Sequence, residues 1–368
     1  MTVATKTIPW WHPLMTGAED ARVLDVLHSN YLNDGDVTTA FEQRIAGLFG
    51  AAHAVATTSG TTAIFLAVAA SGAGAGDEVI VPDVTFIATA NAVRLAGATP
   101  VLVDIDPRTL NVDPNQVRDA ITPRTKAIIP VHVSGRAADM PSLMAIAKEH
   151  GLAVIEDAAE GLLSEAHGRK LGTIGTAGCL SFSPNKTITT GQGGMVLTDD
   201  PAFAARLRGL KDHGRPVRGT GGNDEHPTLG FNFKLTNLQS AVGLAQADLL
   251  EPRVARLRQI YRRYRDGLQG IAEVVVPGFD VDRGETPQWV DVVVERRDAL
   301  VEYLLARGIH SRPFWYPLHT QHPYRRPDSQ FPHSSRLMPK SLWLPSALSL
   351  TDEDVATVCR TVREFYAR

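Results

Sequence analysis

The sequence predicts an α/β fold in which a mostly parallel sheet carries helices on both faces and a smaller C-terminal α+β unit follows. Two observations in the 368 residues lead there. From about residue 54 to 198, short β-branched runs alternate with Ala- and Leu-rich stretches of helical period, the pattern of strands joined by crossover helices. After residue 237 the alternation gives way to one long helical stretch. We therefore divide the chain into a large unit, 1–237, which includes the N-terminal segment, and a unit 238–368 made of a connecting helix and a small domain.

In order, the runs at 78–81, 100–103, 127–133, 153–155 and 195–198 read as strands. Between them, 61–70, 88–95, 114–121 and 140–150 repeat apolar residues at helical spacing. The stretch 215–227, rich in Gly and Pro, reads as a mobile surface loop. The long helix spans 238–268 and is expected to kink or break at Pro252, which lacks an N–H. Beyond it, 274–276, 289–294 and 309–312 read as strands and 297–306 as a helix, with loops at Pro277, Gly278 and Gly284. Ligands of a parallel sheet gather at the carboxyl ends of its strands, so chemistry is sought there.

Composition narrows the function. Apolar residues make up 43% and charged residues 21%, as in ordinary folded domains. The net charge is −3 and neither sign forms long runs, which argues against a nucleic-acid surface or a polybasic membrane anchor. Two cysteines, Cys179 and Cys359, are too few for a disulfide framework and lack metal-ligand spacing, so a cytoplasmic protein without a bound metal is expected. The N-terminal residues lack a signal-peptide pattern, and no apolar run reaches the roughly 18 residues of a membrane span.

Four features fall at strand ends. Thr58-Ser59-Gly60-Thr61-Thr62-Ala63 marks a strand-to-helix turn, whose small residues and free amides suit a phosphate. An ordinary Ser or Thr helix cap explains it equally. In Val154-Ile155-Glu156-Asp157-Ala158-Ala159-Glu160 an apolar strand ends in acids; Glu156 and Asp157 face opposite sides, so only one can serve a given pocket. Such an ionised acid can hold a proton on a heteroaromatic nitrogen, or simply cap the next helix. Ser181-Phe182-Ser183-Pro184-Asn185-Lys186-Thr187, followed by Gly191-Gln192-Gly193-Gly194, places a lysine among small residues, where it can condense with a carbonyl or be a solvated loop residue. Ser183 and Lys186 also match the Ser-x-x-Lys signature of serine acyl enzymes, but no Ser-Asp-Asn or Lys-Thr-Gly follows. In Gly230-Phe231-Asn232-Phe233-Lys234-Leu235-Thr236-Asn237, Thr236 or Asn237 can cap the long helix, whereas Asn232 lies too early to do so. His319 and His322 sit among prolines, which disfavours a helical metal pair.

The order of these features, with Phe86 following Val81-Pro82, resembles the DegT/StrS-type sugar aminotransferases, fold type I (aspartate aminotransferase-like) enzymes dependent on pyridoxal phosphate. The resemblance runs from about Pro9 to the C-terminus and is strongest with the GDP-perosamine synthase branch, which aminates C4 of a GDP-linked 4-keto-6-deoxy sugar. It implies that Lys186 carries the cofactor and shuttles the proton, and that Asp157 pairs with the pyridinium nitrogen. It further implies that Phe86 stacks on the ring, that Gly60, Thr61 and Ser181 hold the phosphate, and that Glu160 sits near the ring hydroxyl and the sugar. Asn232 would reach the phosphate of a neighbouring subunit's cofactor, making a homodimer with active sites at the subunit interface. The implied partners are a keto sugar and an amino acid donor, glutamate foremost. For the sugar side we expect Arg312, Tyr316 and His319. Lys234, Gln192 and Gln288-Trp289-Val290-Asp291-Val292 depart from the family's usual residues. An aminotransferase acting on a keto-cyclitol and a non-catalytic regulatory protein with this fold are the competing readings.

Overall fold

The computed structural model describes residues 7–216 and 225–368. Most of the expected mobile loop, 217–224, lies outside the described residues. In chain order the elements are α1 (Ala18–Ser29), α2 (Asp36–Phe49), β1 (His53–Thr57), α3 (Gly60–Ala70), β2 (Glu78–Pro82), α4 (Ala88–Leu95), β3 (Thr99–Val103), α5 (Pro114–Asp119) and β4 (Thr125–Ile128). The chain continues with α6 (Met140–His150), β5 (Ala153–Asp157), β6 (Glu165–Ala166), β7 (Arg169–Lys170), β8 (Ala177–Ser181), β9 (Gly194–Thr198) and α7 (Pro201–Lys211). Then come α8 (Asn237–Ala247), α9 (Leu250–Leu268), β10 (Val274–Val275), β11 (Val290–Val294), α10 (Arg297–Leu305), β12 (Arg312–Pro313), α11 (Pro332–Leu337), β13 (Ser341–Leu344) and α12 (Asp352–Tyr366).

The main sheet has the order β1-β9-β8-β5-β4-β2-β3. The pairs from β3 through β8 are parallel, while β9 runs antiparallel to both β8 and β1. This is the mostly parallel α/β layer that the alternation predicts, and burial on both faces explains why β2 and β5 read as continuous apolar runs. The reversal of β9 has a consequence for chemistry. Its first residue, Gly194, pairs with Ser181 at the end of β8 and with Thr57 at the end of β1, so the glycine-rich turn lies at the carboxyl edge of the sheet. A second sheet, β10-β11-β13-β12, is wholly antiparallel and packs its apolar residues with α9, α10 and α12.

Several elements differ from expectation. The run at 127–133 forms a strand only through Ile128, because Pro130 has no N–H to continue the ladder. The long helix breaks before Pro252, between α8 and α9, which places that proline in the first turn, where a missing N–H leaves no bond unmade. The strand expected at 309–312 is only Arg312–Pro313, with Ile309 forming an isolated bridge to Ile8. β8 has no β-branched residue and escapes a propensity reading. Its small residues are required by packing instead: a Cβ on Gly178 would lie 2.0 Å from the Gly172 carbonyl oxygen.

The N-terminal segment joins the core around the second sheet to the loop between β8 and β9. Ile8 is buried in the core that α9, α10 and α12 form with the second sheet. The Ser346 amide donates to the Trp10 carbonyl at 2.9 Å, the Trp11 indole donates to the Pro184 carbonyl at 3.2 Å, and Arg253 of α9 donates to the Leu14 carbonyl at 2.7 Å.

Candidate active site

A cavity of about 340 Å³ opens where β1, β2, β5 and β8 end. Of the residues expected to act, Gly60, Thr61, Phe86, Asp157, Glu160, Ser181, Lys186 and Arg312 line it. They are brought together from five separate segments of the chain.

At the end of β1, Ser59 is the cap of α3. Its hydroxyl accepts from the Thr62 amide at 3.2 Å, while the Thr62 hydroxyl accepts from the Ser59 amide at 2.9 Å. The cap and the anion-site readings are therefore compatible, because the amides of Gly60 and Thr61 take no partner among the described residues. Two glycines let the backbone close in. A Cβ on Gly60 would lie 2.8 Å from the Cβ of Ser181, and one on Gly194 would lie 2.1 Å from the Ser59 carbonyl oxygen. Amides at a helix start, a neighbouring hydroxyl and no side-chain bulk form a cradle that fits a phosphate.

At the end of β5 the two acids do turn to opposite sides. Glu156 is fully buried away from the cavity and accepts from the His132 ring at 2.9 Å and from the amides of Gly172, Ile174 and Gly175. Asp157 faces the cavity and accepts from the Thr89 hydroxyl at 2.7 Å and the Ala159 amide at 3.2 Å. Burial pushes the Asp157 carboxyl above the usual range, and these hydrogen bonds only partly offset it. A cation placed against that carboxyl favours its ionised form, which suits a protonated ring nitrogen.

Lys186 sits on the loop between β8 and β9 and is 8% exposed. Its Nζ donates to Glu160 Oε1 at 3.3 Å and lies 4.8 Å from the centre of the Trp289 ring. Burial raises the Glu160 carboxyl, opposed by the Lys186 charge and by the Ser134 amide, which donates to Oε2 at 2.8 Å. Ser183 donates to Asn185 and Lys186 to Glu160, so the Ser-x-x-Lys pair does not form the hydrogen bond of an acyl enzyme. Phe86, 52% exposed on the loop after β2, also lines the cavity. The cradle, the buried acid, the lysine and this aromatic wall fit pyridoxal phosphate.

The residues expected at the sugar side are not gathered in the same way. Arg312 lines the cavity, with its guanidinium 5.0 Å from the centre of Trp10 and 5.6 Å from that of Trp343. Tyr316 is 69% exposed and outside the cavity lining. His319 is wholly buried outside it: a tight turn at Leu318–Thr320 folds its ring inward, where Nδ1 lies 2.6 Å from Asp83 and the ring stacks on Phe331. Asn232 is exposed, forms an isolated bridge with Asp212, and is outside the lining. Thr236 is the cap of α8.

Two neighbours of the candidate site escaped the sequence reading. Thr89, which holds Asp157, lies one helical turn beyond Phe86, and that spacing is the available signal. Ser134 reaches the cavity region from a distant segment and carries no local signal, whereas Trp289, in the segment noted for departing from the family's usual residues, lines the cavity. Among the described residues, no group of three or more His, Cys, Asp or Glu could hold a metal, and no helix is long and apolar enough to cross a membrane.

The sequence profile of the DegT/DnrJ/EryC1/StrS aminotransferase family matches residues 13–363. A GDP-perosamine synthase of Caulobacter vibrioides is 40% identical over 320 residues, 85% of this chain and 85% of that protein. Another, of Escherichia coli O157:H7, is 36% identical over 366 residues, 98% of this chain and 99% of that protein. The solved structure of DesI in the presence of its TDP-sugar product has a TM-score of 0.90 at 35% identity, covering 99% of this chain and 94% of DesI.

Proposed function

The chain belongs to the DegT/DnrJ/EryC1/StrS aminotransferase family, and from that premise we propose that it moves an amino group from glutamate to a nucleotide-linked 4-keto-6-deoxy sugar, with its parts in the following roles. The observation that carries the reading is the buried Lys186 Nζ held on Glu160 in the same cavity as Asp157 and the α3 amides.

When bound, pyridoxal phosphate supplies a carbonyl that captures amines and a ring that takes up the electron pair released at the substrate carbon. The amides of Gly60 and Thr61 and the hydroxyl of Ser181 bind its phosphate, and Phe86 covers a face of its ring. Asp157 keeps a proton on the ring nitrogen by staying ionised beside it. Lys186 Nζ takes the proton from the carbon that loses the amine and returns it to the carbon that gains one. Glu160 steadies that Nζ between the two half-reactions. Arg312, held over indole faces, offers its guanidinium to an anionic group of the substrate.

The division at 237/238, the cytoplasmic location and a homodimer in which Asn232 serves the partner's cofactor belong to the same reading. The exposed position of Asn232 favours the last of these, since a residue serving a neighbour must face outward. Turnover is tested with glutamate and either a GDP- or dTDP-linked 4-keto-6-deoxy sugar or a keto-inositol, read as 2-oxoglutarate formed. Turnover with the keto-inositol alone would overturn the nucleotide-sugar assignment. Sedimentation of the loaded protein as a monomer would remove the homodimer.

A further inference from the structure

Gln288, just ahead of β11, is 1% exposed and lies outside the cavity lining. Its side chain nevertheless grips the backbone on both sides of Lys186. Oε1 accepts from the Thr187 amide at 3.1 Å and from the Thr187 hydroxyl at 2.6 Å, and Nε2 donates to the Asn185 carbonyl at 3.3 Å. Its own amide donates to the Ser134 carbonyl at 2.8 Å. The Ser134 amide in turn donates to Glu160 Oε2 at 2.8 Å, and Glu160 Oε1 accepts from Lys186 Nζ at 3.3 Å. The contacts close a ring that leaves Lys186 through its peptide neighbours and returns at its amine.

We propose that Gln288 is a positioning residue for amino transfer, fixing the peptide units that flank Lys186 relative to Glu160. The proposal rests on the role given to Lys186 above. An amide side chain meets both demands at this point, with its oxygen as acceptor toward Thr187 and its nitrogen as donor toward Asn185. A carboxylate would turn an oxygen toward the Asn185 carbonyl, and an apolar side chain would leave the amide and hydroxyl of Thr187 and the carbonyl of Asn185 without their buried partner. The next link is equally constrained. Ser134 adopts φ 54° and ψ 16°, a left-handed conformation uncommon outside glycine, with its amide, its carbonyl and its hydroxyl all engaged, the last by the Trp343 indole at 3.0 Å. The Arg253 guanidinium takes the Thr187 carbonyl at 3.0 Å, so the backbone after the lysine is held at both its donor and its acceptor. Lys186 Nζ has to rest on Glu160 and then reach a substrate carbon. With its backbone anchored on each side, that motion is confined to the flexible stem of the side chain, and Nζ returns to one place.

The test uses the pyridoxal phosphate-loaded enzyme with Gln288→Met, which keeps the volume and removes both hydrogen-bonding functions, and Thr187→Val, which removes the 2.6 Å bond. Gln288→Met is expected to lower kcat about tenfold while KM for glutamate stays within about twofold, and to shift the midpoint of the pH titration of the visible absorption band. The double variant is expected to fall no further than the worse single one, as for two residues acting through one contact. Wild-type kcat and titration midpoint in Gln288→Met, or losses that multiply in the double variant, would overturn the proposal. If Gln288→Met fails to fold, as shown by a collapsed thermal midpoint of the cofactor-free protein, Thr187→Val decides alone: the same kcat and spectral changes at an unaltered thermal midpoint support the proposal, and none overturns it. Lys186→Ala separates the two levels. If it keeps the visible band, the role of Lys186 and this inference both fail; if it loses the band while Gln288→Met behaves as wild type, this inference alone fails.

Discussion

The two walls of the cavity are built differently. On the sheet side, the groups expected to hold the cofactor come from strand ends, within a few residues of an apolar run: Gly60 after β1, Phe86 after β2, Asp157 at the end of β5, and Ser181 at the end of β8. On the other side, Arg312, Trp289 and Trp315 come from short or irregular segments, and Arg312 is held by indole faces rather than by a carboxylate. A parallel sheet fixes where its strand ends lie whatever residues they carry, so the first wall is a property of the fold. The second depends on how a particular set of loops packs, and it is where a family can change its substrate while keeping its cofactor.

The comparison can be broken by substitution. Lys186→Ala is expected to abolish the visible band and lower turnover at least about a thousandfold, checked by absorbance and 2-oxoglutarate release. Next in size is His319→Ala. It leaves the buried Asp83 carboxyl without its ring partner and is expected to cost about 3 kcal/mol of stability, with KM for both substrates unchanged. A large KM effect with intact stability would instead return His319 to the sugar site. Arg312→Ala is expected to cost about 2 kcal/mol of substrate binding, read as a roughly 30-fold rise in KM for the substrate whose anion it meets, with denaturation unaltered.

The smallest effect concerns the acid next to Asp157. Burial alone would raise Glu156, but the His132 ring and the amides of Gly175 and Gly172 hold it below the usual carboxylate range. A depressed carboxyl stabilises the fold above its unfolded value of about 4.3 and loses that contribution as pH falls through its folded value. Glu156→Gln is therefore expected to cost about 1 kcal/mol at pH 7, and the gap between variant and wild type should close in denaturation curves recorded progressively below pH 4.3. Turnover by the variant should stay close to wild type, because Glu156 faces away from the cavity.

The same contrast explains what could be read in the residues. Period-2 alternation at the end of β5 was enough to separate Glu156 from Asp157, since a strand turns successive side chains to opposite faces. The glycines of Gly191-Gln192-Gly193-Gly194 find their reason at Gly194, against the Ser59 carbonyl, a contact between segments more than a hundred residues apart. β8 was illegible because its small residues answer to the neighbouring Gly172 rather than to strand propensity. His319 misled for a similar cause: a histidine near proline-rich turns looks available for substrate until Asp83, distant in sequence, is seen to hold its ring. Residues that serve through a neighbour, such as Ser134, leave no mark at all in local pattern.

The segment from Ile8 to Leu14 also sets the practical limits for altering this protein. It fastens Ile309 at one end and Arg253 at the other, with the Trp11 indole on the loop that bears Lys186. A protease cut or a trimmed gene that removes Trp11 takes away the indole's hydrogen bond to the Pro184 carbonyl, on the loop of the lysine, while every residue that lines the cavity stays in the chain.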